Sequence, residues 1–218
     1  MNNLYEDDIW DSSVPIRPGG IELTKRLLDI SRLKRGLIMD FGCGEGHTAE
    51  YLASKKFSVI GTDKSELLIK RAVLRCPEAD FFVLENIDNL EFQNKLDGII
   101  SECVIASLEN KTEIINKIHS FLKCGGFFII NDITALVKKA AGNFFTFNDW
   151  IEALNKAGFE IIYYEDNTSA LKEFYLKALW ENQSCCIADS IPKGYKGKET
   201  GYFSKKEKKA NTLSPVLL

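Results

Sequence analysis

The stretch that decides the fold is GLIMDFGCGEGHTAEYLA, residues 36–53. An apolar run ends in Asp40 and is followed by Gly42, Gly44 and Gly46 at alternate positions. Glycine loses more backbone entropy on folding than any other residue, so three in five positions need a local cause. The cause that fits is a chain that turns sharply and lets something approach its backbone. The HTAEYLASKK segment that follows carries Ala49, Leu52 and Ala53 on one side and reads as a helix.

Outward from this stretch the same alternation repeats. GGIELTKRLLDISRL (19–33) places Ile21, Thr24, Leu27, Leu28 and Ser31 at helical spacing. FSVIGTD (57–63) predicts a second strand, SELLIKRAVLRC (65–76) a helix capped by Ser65, and ADFFVL (79–84) a third strand. KLDGIIS (95–101) predicts the fourth strand, and NKTEIINKIHSFL (110–122) a helix with one apolar stripe. A KCGG turn then leads into FFIIND (127–132). TFNDWIEALNKAG (146–158) is a helix capped at Thr146 or Asn148 and ended by Gly158, and FEIIYYED (159–166) is the sixth strand. Continuously apolar strands alternating with helices predict a doubly wound, Rossmann-like α/β domain, its mostly parallel sheet covered on both faces.

Composition narrows the function. The 218 residues carry a net charge of −3; seven lysines and two glutamates after residue 192 give that end +5 and leave the rest at −8. Nucleic-acid binding depends on neutralising phosphates with Lys and Arg, so an acidic body disfavours that partner. No apolar run has the ~20 residues of a membrane span. The acidic start MNNLYEDDIWDSS is not a signal peptide, which sets a cytoplasmic expectation. Six cysteines without C-x-x-C spacing read as free thiols, with Cys43, Cys76 and Cys124 as small packing residues. Two histidines without an acidic cluster predict no metal site.

In open α/β sheets, ligands bind beyond the carboxyl ends of the strands at the switch point, where DFGCGEG falls. A dinucleotide fingerprint would need its third glycine at position 47, which is His47. The G-x-G-x-G spacing after Asp40 instead resembles the first motif of the class I S-adenosylmethionine-dependent methyltransferases. The resemblance runs over roughly residues 17–180. It includes Asp63 ending VIGTD, LDGIISECV (96–104), FLKCGGFFIIND (121–132) and ALNKAGFEII (153–162).

That resemblance implies S-adenosyl-L-methionine as cofactor and a small molecule as methyl acceptor. Asp40, Gly42, Cys43 and Gly44 would hold the methionine part, Asp63 both ribose hydroxyls, and Asn86 and Ile87 the adenine. Asn86 departs from the family's usual Asp, and a neutral amide can still accept from the adenine amino group. Glu102 is a candidate for the cofactor's amino group or for a catalytic base. Without a ligand, Asp40 would cap the glycine turn, Asp63 the next helix, and Glu102 the segment after it. The resemblance makes residues 1–16 an arm or lid, 17–192 the methyltransferase domain, and 193–218 a basic, partly disordered tail. Tyr5, Trp10, Arg17, Cys103 and Asp132 are substrate-side candidates, with Cys185–Cys186 of open role. The lysine run after GYF predicts a final antiparallel strand that is short or missing, because unpaired charges do not bury. A non-catalytic cofactor-binding or interaction protein is the alternative function.

Overall fold

The computed structural model describes residues 13–136, 143–180, 197–205 and 214–217. Helices α1 (Gly20–Ser31), α2 (His47–Ser54), α3 (Glu66–Arg75), α4 (Lys111–Phe121), α5 (Phe147–Ala157) and α6 (Thr168–Trp180) alternate with strands. The strands are β1 (Leu37–Phe41), β2 (Ser58–Asp63), β3 (Asp80–Val83), β4 (Leu96–Glu102), β5 (Leu122–Ala135), β6 (Phe159–Asp166), β7 (Gly197–Lys205) and β8 (Ser214–Leu217). They form one sheet in the order β3-β2-β1-β4-β5-β7-β6-β8. Strands β3, β2, β1, β4 and β5 run parallel. The chain winds outward from β1 to β3 and returns to β4 beside β1, so the switch point opens between β1 and β4.

Side chains of a strand alternate between faces, and here each face has its own core. Ile38, Val59, Ile100 and Ile129 pack against Leu23 and Leu27 of α1 and Leu52 of α2. Met39, Ile99, Phe128 and Ile130 pack against Ile115 and Phe121 of α4 and Trp150 of α5. Each fully buried side chain of this kind contributes roughly 1.5–3 kcal/mol. The same alternation aims Asp40 and Glu102, two residues beyond Ile38 and Ile100, at the α1–α2 face.

Local chemistry sets the helix ends. Ser65 accepts the N–H of Leu68 to start α3. Thr146, not Asn148, caps α5 in a reciprocal capping box with Asp149, and Gly158 ends it at φ 90°. Cys43 and Cys76 are buried as packing residues, whereas Cys124 is exposed. Cys124 sits where KCGG forms an irregularity inside β5, since five residues from Leu122 to Phe127 advance against two from Leu96 to Gly98.

The C-terminal expectation needs correcting. The antiparallel strand is neither short nor missing: β7 spans nine residues and pairs with β5 on one side and β6 on the other. It closes at Lys205, the first of the four clustered lysines, so most of that charge falls after the strand. The segment 193–218, expected as a partly disordered tail, thus supplies β7 and β8 to the sheet. Among the described residues no helix is long and apolar enough to cross a membrane.

Candidate functional site

The glycine loop leaves β1 and is tied to β2. The N–H groups of Gly42 and Cys43 donate to the Thr62 carbonyl at 2.7 and 2.9 Å. Gly42 has φ 81°, and a Cβ there would lie 2.2 Å from Val104 Cγ2, so the loop rests directly on the end of β4. Gly44 has φ 52°, and a Cβ there would meet nothing within 4 Å. Open space beside a backbone bent this way is a cradle for a ligand. Glu45, largely buried, is held by Arg71 at 2.7 Å and by Arg75 at 3.7 Å, which fastens the loop to α3.

Beside the loop lies a cavity of about 730 Å³, within the usual 300–1,000 Å³ of small-molecule sites. Its walls are Pro15–Arg17, the glycine loop, Asp63 and Lys64, Leu84–Asp88, Glu102–Val104 and the start of α4 around Glu109 and Glu113. The structure brings together Arg17, Gly42, Cys43, Gly44, Asp63, Asn86, Ile87, Glu102 and Cys103. Asp40 and Asp132 are not in its wall. Tyr5, Trp10, Cys185 and Cys186 lie outside the described residues.

Asp63 accepts the N–H of Gly44 on Oδ2 and the N–H of Ser65 on Oδ1, both at 2.9 Å. A carboxylate has about four acceptor positions, so each oxygen retains capacity for a ligand hydroxyl. Asn86 uses its amide oxygen to accept the Asp88 N–H at 2.9 Å, capping the 3₁₀ turn Ile87–Asn89.

Glu102 is the hub. Its Oε1 accepts from Thr24 of α1 at 2.7 Å; its Oε2 accepts from Thr48 of α2 at 2.7 Å and pairs with Arg17 at 2.9 Å. The Arg17 guanidinium also donates to both threonine hydroxyls, at 2.7 and 2.9 Å. This cluster locks Pro15–Arg17 across the cavity mouth. Arg17 Nε is buried without a hydrogen-bond partner among the described residues, as is Oδ2 of Asp40. Burial, reinforced by Glu102 and opposed by Arg17, pushes the Asp40 carboxyl up to about 8.

Asp132 is 2% exposed and accepts the N–H groups of Ala106 at 2.9 Å and Ile133 at 2.8 Å. Its carboxyl is spent on backbone rather than offered to the cavity. Burial raises it to about 6. Cys103 has φ 59° and donates its N–H to the Asn131 carbonyl at 2.7 Å. Positive φ in a non-glycine residue is sparsely populated and concentrates at functional sites. Tyr175 of α6 is within electrostatic reach of that thiol; burial first, then Cys103, raises its phenol to about 12.

The residues that sequence reasoning missed are Thr24 and Thr48, the tie that holds Glu102. Thr24 had a visible signal, as a hydroxyl within the apolar stripe of α1. Thr48 had none beyond its place in the first turn after the glycines.

A family model for a methyltransferase domain matches residues 34–190. Phosphoethanolamine N-methyltransferase 3 of Arabidopsis thaliana is 31% identical over 124 residues, covering 54% of this chain. The match spans only 25% of that relative's length. Among solved structures, a Haemonchus contortus phosphoethanolamine N-methyltransferase 2 in complex with S-adenosyl-L-methionine superposes with a TM-score of 0.73 at 21% identity, covering 94% of this chain and 56% of that one. The [4+2]-cyclase SpnF superposes with a TM-score of 0.72 at 18% identity, over 85% of this chain and 81% of that one. At such identities the likeness is one of fold.

Proposed function

The chain belongs to the class I S-adenosylmethionine-dependent methyltransferases, and on that premise we propose that it transfers the methyl group of S-adenosylmethionine to a small-molecule acceptor. The observation that carries the reading is the Gly44 cradle bound to Asp63 in the cavity wall. The residues present fit the cofactor. Asp63 takes the ribose hydroxyls, and the Gly44 backbone leaves room for close approach. Leu84 and Ile87 offer an apolar wall to the adenine, and the unpartnered Nε–H of Arg17 suits the carboxylate of the methionine part.

When bound, the cofactor supplies a methyl group already activated on a sulfonium, so the protein mainly has to align it with a nucleophile. Pro15–Arg17 restrict water at the cavity mouth, and Cys103 and Val104 shape the wall at the end of β4. Both oxygens of Glu102 are engaged, which suits a residue that anchors Arg17 better than one that abstracts a proton. The acidic body and the size of the cavity favour a small acceptor over nucleic acid.

The experiment is calorimetry on the chain and on Asp63→Ala. S-adenosylhomocysteine should bind the wild type and NAD should not. A hydrogen bond to a charged group contributes roughly 1.5–3 kcal/mol, so Asp63→Ala should lose at least about tenfold in affinity with its fold intact. A folded Asp63→Ala chain that binds as tightly as wild type sinks the ribose assignment. NAD binding as tight as S-adenosylhomocysteine sinks the cofactor. Labelled S-adenosylmethionine incubated with a metabolite panel then reads out the acceptor.

A further inference from the structure

The segment between β4 and α4 forms much of the cavity wall through Val104, Ser107 and Leu108, yet it contains only the single 3₁₀ turn Ile105–Ser107. One such turn does not hold itself, because helical nucleation is unfavourable and 3₁₀ geometry is poor. Two buried charges behind the wall hold it instead. Asp132 of β5 accepts the Ala106 N–H at 2.9 Å, and Lys111 of α4 donates to the Leu108 carbonyl. Each is 2% exposed, and neither lines the cavity. Lys111 Nζ also lies 5.6 Å from the centre of the Phe145 ring. The two residues therefore grip the segment at its middle and its end. Val104, at the head of the segment, is the side chain on which Gly42 rests.

We propose that Asp132 and Lys111 are positioning residues that clamp residues 104–108 from behind and so hold Val104 and the glycine loop in the geometry that binds the cofactor. The inference rests on reading the cavity as the cofactor site. The acid is the sensitive half of the clamp. As a carboxylate it accepts from Ala106 and Ile133 on separate oxygens; once protonated, one oxygen carries a hydrogen and opposes a backbone N–H. Lys111 of α4 is the charged group that acts on Asp132, and Glu109 acts in turn on Lys111. Across the β5–β7 ladder, Thr200 stands opposite Asp132 and Glu199 opposite Ile133.

The test is titration of the full chain with S-adenosylhomocysteine between pH 5 and 8, for wild type, Asp132→Asn, Val104→Ala and the double variant. Asp132→Asn should bind about tenfold more weakly at pH 7.5, the scale of one charge-assisted hydrogen bond. Wild-type affinity should fall as pH drops through about 6, where Asp132 takes up its proton, and the Asn variant should lack that step. Because Asp132 acts through Val104, the double variant should lose less than the two single losses combined. A folded Asp132→Asn chain with wild-type affinity, a pH step that survives in it, or additive losses with Val104→Ala would each overturn the clamp. If Asp132→Asn fails to fold, Lys111→Met carries the same affinity and additivity tests. A wild type that binds no S-adenosylhomocysteine overturns instead the cavity assignment beneath it.

Discussion

Gly42→Ala should abolish measurable S-adenosylhomocysteine binding and lower the melting temperature by several degrees. Two costs add. An L-residue at φ 81° is worth roughly 1–2 kcal/mol of backbone strain, and the added methyl would stand 2.2 Å from Val104 Cγ2. Val104 has little room to yield, because Ile105 beside it is fully buried and Ala106 is tied to Asp132. The loop must then lift away from the Thr62 carbonyl, at an overpacking cost of roughly 1–3 kcal/mol. A total of about 3 kcal/mol leaves a domain of ordinary stability folded, with a melting temperature lower by roughly 6–12 °C. Gly44→Ala is the informative comparison. It is strained in φ but meets no neighbour, so it should lose much less stability while still crowding the ligand. Thermal melts and calorimetry on both variants check this. A Gly42→Ala chain that melts and binds like wild type would mean that the loop does not rest on Val104.

The contrast between these glycines marks how far the sequence could be read. That the loop closes β1 and opens α2 follows from local pattern: an apolar run, glycines at alternate positions, then helical periodicity. Asp63 was legible for the same reason, as the last residue of an apolar strand about 20 positions on. What separates Gly42 from Gly44 is a contact with Val104, 62 positions away, which no local pattern records. The Glu102 hub is non-local in the same way, joining Arg17, Thr24, Thr48 and Glu102 from four segments. Asp132 looked like a substrate-side acid because acids after β5 are well placed for that; only the neighbouring 3₁₀ turn shows that its oxygens are taken by backbone N–H groups. The lysines after Gly201-Tyr202-Phe203 misled for another reason. Charge forbids burial of a residue but not pairing of the strand that ends at it, and β7 ends at Lys205.

Glu102→Ala should be the most destabilising single change at the site, by roughly 3–5 kcal/mol. The figure comes from what the deletion leaves behind. The side chains of Arg17 and Glu102 are 11% and 4% exposed, so the ion pair is shielded from water and from salt. Removing the carboxylate strands a guanidinium among Thr24 and Thr48, whose hydroxyls would also lose their acceptor. Glu102→Gln keeps the volume and one acceptor oxygen and should fall between wild type and Ala. The double change Arg17→Leu, Glu102→Ala removes the stranded charge, so it should be more stable than Glu102→Ala alone. Binding should separate from stability across this set. Pro15–Arg17 are fastened over the cavity by this cluster, so both Glu102→Ala and the stabler double variant should release S-adenosylhomocysteine faster than wild type. Denaturant melts combined with stopped-flow release of the ligand measure the two effects independently. If the double variant is no more stable than Glu102→Ala, the cost does not lie in the unpaired charge. If release is unchanged in both, the ion pair supports the fold without fastening the segment that covers the cofactor.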